Sequence, residues 1–109
     1  MSAWRVRSYA RPGRLTPAQN RGLRARAVQL KAGAIMPWHS TAAREELLLV
    51  LQGRALVEVV EPRQRLRPLR LAAEQSLWLP ARTIHRVVNT ARRALHYVYV
   101  TGPSFRAGR

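Results

Sequence analysis

The chain contains no cysteine, so the only side chains it can offer a metal are His and Glu, with water completing any coordination sphere. Thiolate ligation, a disulfide framework and a cysteine nucleophile are excluded on the same ground. Three histidines are present, His39, His85 and His96. His39 stands just ahead of an aliphatic run that reads as a strand, Glu46-Leu47-Leu48-Leu49-Val50-Leu51-Gln52, which closes at Gly53. Period-two counting places Glu46 with Leu48 and Val50 on one face and Leu47, Leu49 and Leu51 on the other. A carboxylate therefore shares a face with aliphatic residues that must be buried. An unpaired buried carboxylate is costly, so Glu46 requires a cation, a cluster of donors or a metal beside it.

These residues fall into a longer pattern. Gly33, His39, Glu46 and Gly53 match the first motif of the cupin superfamily, which runs glycine, five residues, His, any residue, His, three or four residues, Glu, six residues, glycine. Pro80, His85 and Asn89 match the second motif, a glycine, five residues, proline, any residue, glycine, two residues, His, three residues, Asn. The chain resembles that superfamily, in its small single-domain form, from Gly33 to Asn89. Three positions depart from the pattern. Thr41 replaces the second histidine of the first motif, and Glu74 and Arg82 stand where the second motif has glycine. The first change removes a ligand; the other two put side chains where a turn favours a positive φ.

The resemblance implies that His39, Glu46 and His85 converge inside a barrel on one divalent metal ion, with Thr41, water or a substrate left to complete the sphere. Two imidazoles and one carboxylate with open positions suit Fe(II), and Mn, Ni, Cu or Zn also fit such a set. The competing reading makes His39 and His85 ordinary polar residues at a barrel mouth, bonded to Glu46 with no metal. Glu45 competes with Glu46 for the acidic position, but only Glu46 leaves the required spacing to Gly53. His96 reads as a packing or surface histidine. Of Trp38, Trp78 and Tyr97, the expectation is that two are packing residues and that any pocket uses the remainder.

The elements that must position these groups are short. Segments of strand length run over 25–31, 46–52, 55–60, 69–72, 76–79, 84–88 and 94–101, each closed by a turn signal or polar cluster. Gln52-Gly53-Arg54 reads as a tight hairpin, and a second hairpin is expected to turn between Glu61 and Pro68. No segment carries sustained helical periodicity with caps. The fold class is therefore all-β: an antiparallel sandwich or small barrel of jelly-roll type, the double-stranded β-helix of the cupins. Residues 1–22 read as an arginine-rich arm with room for one short strand, and 23–109 as the barrel. Apolar residues on both faces of the Glu46 strand call for a further cover, by the arm or by another subunit. A homodimer is what the resemblance implies.

With 109 residues, 47% of them hydrophobic, the chain suits one compact domain. The longest aliphatic run, Leu47 to Leu51, is far short of the roughly 20 residues that cross a bilayer, so no membrane role is expected. Met1 to Arg14 lacks the apolar block of a secretory signal, and the expected location is the cytoplasm. The 20 Lys and Arg against 5 acidic residues give a formal charge of +15. That excess attracts anions of any kind, whether nucleic acid, acidic lipid or acidic small molecule. No nucleic-acid fold signature or aromatic ladder accompanies it, so nucleic acid ranks third as a partner. The first reading is a metal-binding cupin, a metal-dependent dioxygenase or isomerase acting on a small acidic or phenolic compound. The second is a non-catalytic cupin that binds or senses a small molecule.

Overall fold

A computed structural model describes residues 4–105; residues 1–3 of the expected arm and 106–109 of the expected barrel segment lie outside the described residues. Nine strands follow in chain order: β1 (Gly13–Arg14), β2 (Arg24–Leu30), β3 (Ile35–Ser40), β4 (Arg44–Gln52), β5 (Ala55–Glu61), β6 (Arg65–Leu71), β7 (Ser76–Leu79), β8 (Ile84–Val88) and β9 (Leu95–Pro103). They form two antiparallel sheets, one ordered β1-β2-β9-β4-β7 and the other β3-β8-β5-β6. The inner faces pack on each other as a jelly roll. Leu48, Val50, Leu95 and Tyr97 from the first sheet meet Val57, Val87 and Leu71 from the second. Among the described residues no helix is long and apolar enough to cross a membrane.

Alternation in β4 runs as its sequence predicts: Glu46, Leu48 and Val50 are buried, while Leu47 and Leu51 are 39% and 36% exposed. Among the described residues the arm does not supply their cover. It lies at the opposite end of the sheet, where Gly13 and Arg14 pair with Ala27 and Arg26 of β2 and the Leu15 amide donates to the Ala25 carbonyl at 2.8 Å. Two guanidinium groups hold the arm in shape. Arg7 donates to the carbonyls of Arg11 and Arg14, both at 2.7 Å. Arg44 reaches from β4 to the carbonyls of Arg21 and Gly22 and to Thr101 of β9.

Two expectations are corrected, both at prolines. His39 precedes β4 as expected but itself lies within β3, an edge strand outside the expected strand segments. Pro37 is accommodated because the register shifts between Met36 and His39, a bulge that needs no amide donor there. The second hairpin turns at Pro62–Gln64, inside the expected span, but β6 starts at Arg65, ahead of the expected segment 69–72, and runs straight through Pro68, paired with Glu58. β6 is also an edge, so the missing amide faces no partner strand.

The turns keep the shape that glycine would favour. Gly53 has φ 90°, and a Cβ on it would stand 2.7 Å from the Ala94 carbonyl oxygen. Glu74 and Arg82 sit at φ 70° and 58°, so both carry side chains in the left-handed region. Glu74→Gly and Arg82→Gly are each expected to stabilise the fold by about 0.5–1 kcal/mol, the steric relief exceeding the added chain entropy of glycine. Urea denaturation checks this, and an unchanged or lowered midpoint for both would contradict it.

Candidate metal centre

The two histidines come from neighbouring strands of one sheet and the glutamate from the other. His39 of β3 and His85 of β8 are register partners, with ring centroids 4.2 Å apart and planes tilted by 58°. Glu46 projects across the barrel from β4, flanked in register by Leu79 of β7 and Thr101 of β9. One ligand atom from each of His39, Glu46 and His85 lies within 4.8 Å of the other two. Glu46 Oε2 stands 3.3 Å from His85 Nε2. Two ligands about 2.1 Å from a shared ion at 90–110° would be roughly 3–3.4 Å apart, so this spacing fits a metal.

The hydrogen bonds select the ligating nitrogen. His39 Nδ1 is 2.8 Å from the Pro37 carbonyl oxygen, and His85 Nδ1 is 3.1 Å from that of Thr83. A carbonyl can only accept, so each Nδ1 carries the proton and each neutral ring presents its Nε2 lone pair. This is the orientation that a backbone carbonyl gives a metal-binding imidazole. His85 is wholly buried, and its Nε2 is a buried side-chain atom with no hydrogen-bond partner among the described residues. A fully enclosed, unpaired nitrogen beside a carboxylate that is 4% exposed is costly unless a proton or a metal ion lies between them.

Burial alone would push the His85 pKa down. The adjacent Glu46 carboxylate and the Thr83 carbonyl outweigh it, and the net displacement is upward from the usual imidazole value. Tyr97, in the core below, has its hydroxyl pushed well above the ordinary phenol range by burial, with Tyr99 and the Glu46 charge adding to the shift. It remains a neutral phenol.

Thr41, also buried, is committed elsewhere. Its hydroxyl donates to the Pro80 carbonyl at 2.8 Å and accepts from the Thr83 amide at 2.9 Å, tying the end of β3 to the loop before β8. The Thr83 carbonyl is thereby set to accept the hydrogen bond from His85 Nδ1. Glu45, the rival carboxylate, faces outward and accepts from Trp78 Nε1 at 3.0 Å. His96 lies far along β9, opposite Gln29 and Gln52, outside the three-residue group. Trp38 is on the outer face, with the Arg86 guanidinium 4.8 Å from its ring centroid. Only Tyr97 of the three singled-out aromatics is an interior residue. Sequence reasoning assigned Asn89 no work of its own. Its wholly buried side chain donates to backbone carbonyls of Leu30 and Arg93 and accepts from the Ala91 amide.

With this geometry in view, comparison with known proteins gives a consistent result. The model of the cupin domain family matches residues 26–101. No curated protein sequence matches. Among solved structures, the cupin domain of Schizosaccharomyces pombe Cnp3 is similar at TM-score 0.73 and 18% identity, over 85% of this chain and 60% of that one. A recombinant oxalate oxidase in complex with glycolate gives TM-score 0.70 and 19% identity, over 75% of this chain and 42% of that one. Bacillus subtilis oxalate decarboxylase, whose Mn(II) centres are its subject, gives 0.68 and 20%, over 82% and 23%. This chain thus spans less than two thirds of the length of each of these structures. At such identities the likeness establishes the fold.

Proposed function

The chain belongs to the cupin family, and on that premise we propose that His39, Glu46 and His85 hold one divalent transition-metal ion, at which a small acidic or phenolic compound undergoes oxidative or isomerising chemistry. The observation that carries the proposal is the enclosed His85 Nε2, unpaired and 3.3 Å from a buried carboxylate oxygen. Three protein ligands leave coordination positions free, and an ion so held supplies Lewis acidity or a one-electron couple to whatever small molecule occupies them. The chain's own part is positional. The Pro37 and Thr83 carbonyls fix the ring tautomers, Thr41 fixes Thr83, and the aliphatic floor of Leu48, Val59 and Val87 excludes water from below. His39, exposed at the rim, leaves the approach open on one side. The similarity to an oxalate oxidase crystallised with glycolate supports a small carboxylate as ligand. The test is metal analysis of protein purified without chelator, where one transition-metal ion per chain is expected. Absence of metal, together with no affinity for Fe, Mn, Ni, Cu or Zn, would leave a barrel that only binds small molecules.

A second copy of the chain is proposed as the cover for the outer face of β4. Leu47, Leu51 and Trp78 are 39%, 36% and 57% exposed there, and Leu47 is the register partner of both Trp78 and Val100. Contiguous apolar side chains of this size favour self-association. Sedimentation velocity is expected to show a dimer that Leu47→Lys with Trp78→Lys converts to monomer. A monomeric wild type at micromolar concentration would end this reading.

A further inference from the structure

The inner face of the larger sheet does not stop at the barrel. Register carries it outward through β9 to β2 and β1, beyond the strands that enclose the metal centre. One cross-strand row runs Leu48, Tyr99, Arg26, Arg14, and the next runs Glu46, Thr101, Arg24. Leu48 is fully buried and Glu46 nearly so, which places Arg14, Arg24 and Arg26 on the barrel-facing side. Together with Thr16, Tyr99 and Thr101, these arginines line a groove of about 460 Å³. That volume falls in the range of sites for small organic ligands.

Among the described residues no carboxylate compensates the charge in this groove, where Arg24 Nε donates to the Asn20 carbonyl. Arg14 is the direct cross-strand partner of Arg26, a like-charge pairing that opposes strand association. Arg24 precedes Arg26 by two residues in β2, on the same face. Among the described residues the ion pairs involve Arg67, His85 and Arg86, so none of the three groove arginines has a carboxylate within reach. Arg24 also depresses the Arg44 pKa, second to burial as a cause, so the repulsion extends to the guanidinium that clasps the arm. A sheet that places three arginines on one concave surface, two of them directly opposed, with no counter-charge, gives up stability to create a positive field.

We propose that Arg14, Arg24 and Arg26 form a seat for the terminal oxyanion, carboxylate or phosphate, of a small organic anion. Guanidinium groups match either oxyanion with paired N–H donors. Thr101 joins this groove to the metal centre, since it lines the one and stands opposite Glu46 in the other. A ligand seated on the arginines would extend its other end toward His39, Glu46 and His85. That direction rests on the metal reading above; the oxyanion seat does not.

The test is a thermal-shift titration of the full chain with succinate and, separately, inorganic phosphate, at constant ionic strength. A saturable rise in Tm of several degrees is expected with at least one of them, and the more effective probe names the end group. Arg26→Gln and Arg14→Gln are each expected to weaken the response about tenfold, while Tm without anion stays level or rises because the opposed charges are gone. Arg92→Gln, on an exposed arginine outside the groove, should leave the response intact. The His39→Ala/His85→Ala variant separates the two sites: a response that persists there shows the arginine seat standing without the metal ligands. A response lost in that variant but retained in both arginine variants places the anion on the metal and overturns the seat. No saturable response to either probe, or equal loss in Arg92→Gln, overturns it as well.

Discussion

Replacing His39 and His85 together by alanine is expected to reduce metal content from one ion per chain to none while the barrel stays folded. Of the three groups whose ligand atoms gather within 4.8 Å, only Glu46 would remain, and one carboxylate is a poor site for an ion that the complete set would hold. Far-ultraviolet circular dichroism tests the folding and elemental analysis tests the metal. Metal retained at wild-type stoichiometry would show that the ligands lie elsewhere. The wild-type site should also load according to pH. Both imidazoles must be neutral to ligate, and Glu46 holds the His85 pKa above its ordinary value, so uptake displaces a proton and metal affinity climbs as pH rises through that raised value. The linkage in metal-free protein has the opposite sense. The folded state binds the His85 proton more tightly than the unfolded state, so the protonated His85–Glu46 pair contributes stability that is fully present below the unfolded pKa, about 6.5, and fades as pH rises through the folded pKa. A metal-free stability profile that rose through this window would contradict the pairing.

The second large effect is structural. Asn89→Leu is expected to destabilise the fold by about 3 kcal/mol, lowering Tm by roughly 12–20 °C, although its side-chain hydrogen bonds go to backbone groups and not to His39, Glu46 or His85. Its side chain is wholly buried, with Nδ2 at 3.0, 3.2 and 2.8 Å from the carbonyl oxygens of Leu30, Lys31 and Arg93 and Oδ1 at 3.0 Å from the Ala91 amide. The main chain of Asn89 is bonded as well, to Gly33 and Ala34. One side chain thus joins the ends of β2 and β8 and the approach to β9. Leucine keeps the volume but strands buried donors and acceptors, each costly to leave unmade. Guanidinium denaturation measures the loss, and a value under about 1 kcal/mol would mean that water replaces the amide without penalty.

The grouping of His39, Glu46 and His85 was legible only through the cupin resemblance; what residue type and local spacing gave was the inward carboxylate. Glu46 in register with Leu48 and Val50 has to point inward, and a buried carboxylate needs a partner; the fold supplies His85. The strand that carries His39 was less legible, because Pro37 interrupts the pattern and a bulge absorbs it. β6 was shortened in the reading for the same reason, since Pro68 is tolerated only where an edge leaves its missing amide without a partner. Glu74 and Arg82 show the limit of residue-type arguments at turns: the backbone takes positive φ at both positions without glycine, because the strands on either side fix the turn.

The sequence by itself determined the all-β class, the inward side of β4, and the small set of side chains able to ligate a metal, because alternation and ligand chemistry are properties of residue type and spacing. Tertiary structure alone decided that His39 and His85 stand side by side, that Thr41 spends its hydroxyl on the Pro80–Thr83 loop, and that Arg14 of the arm opposes Arg26 on the face shared with Glu46. Those outcomes depend on strand order and register across long separations in the chain. The energy that fixes register comes from burying one whole face of each strand, so no single segment carries that information alone.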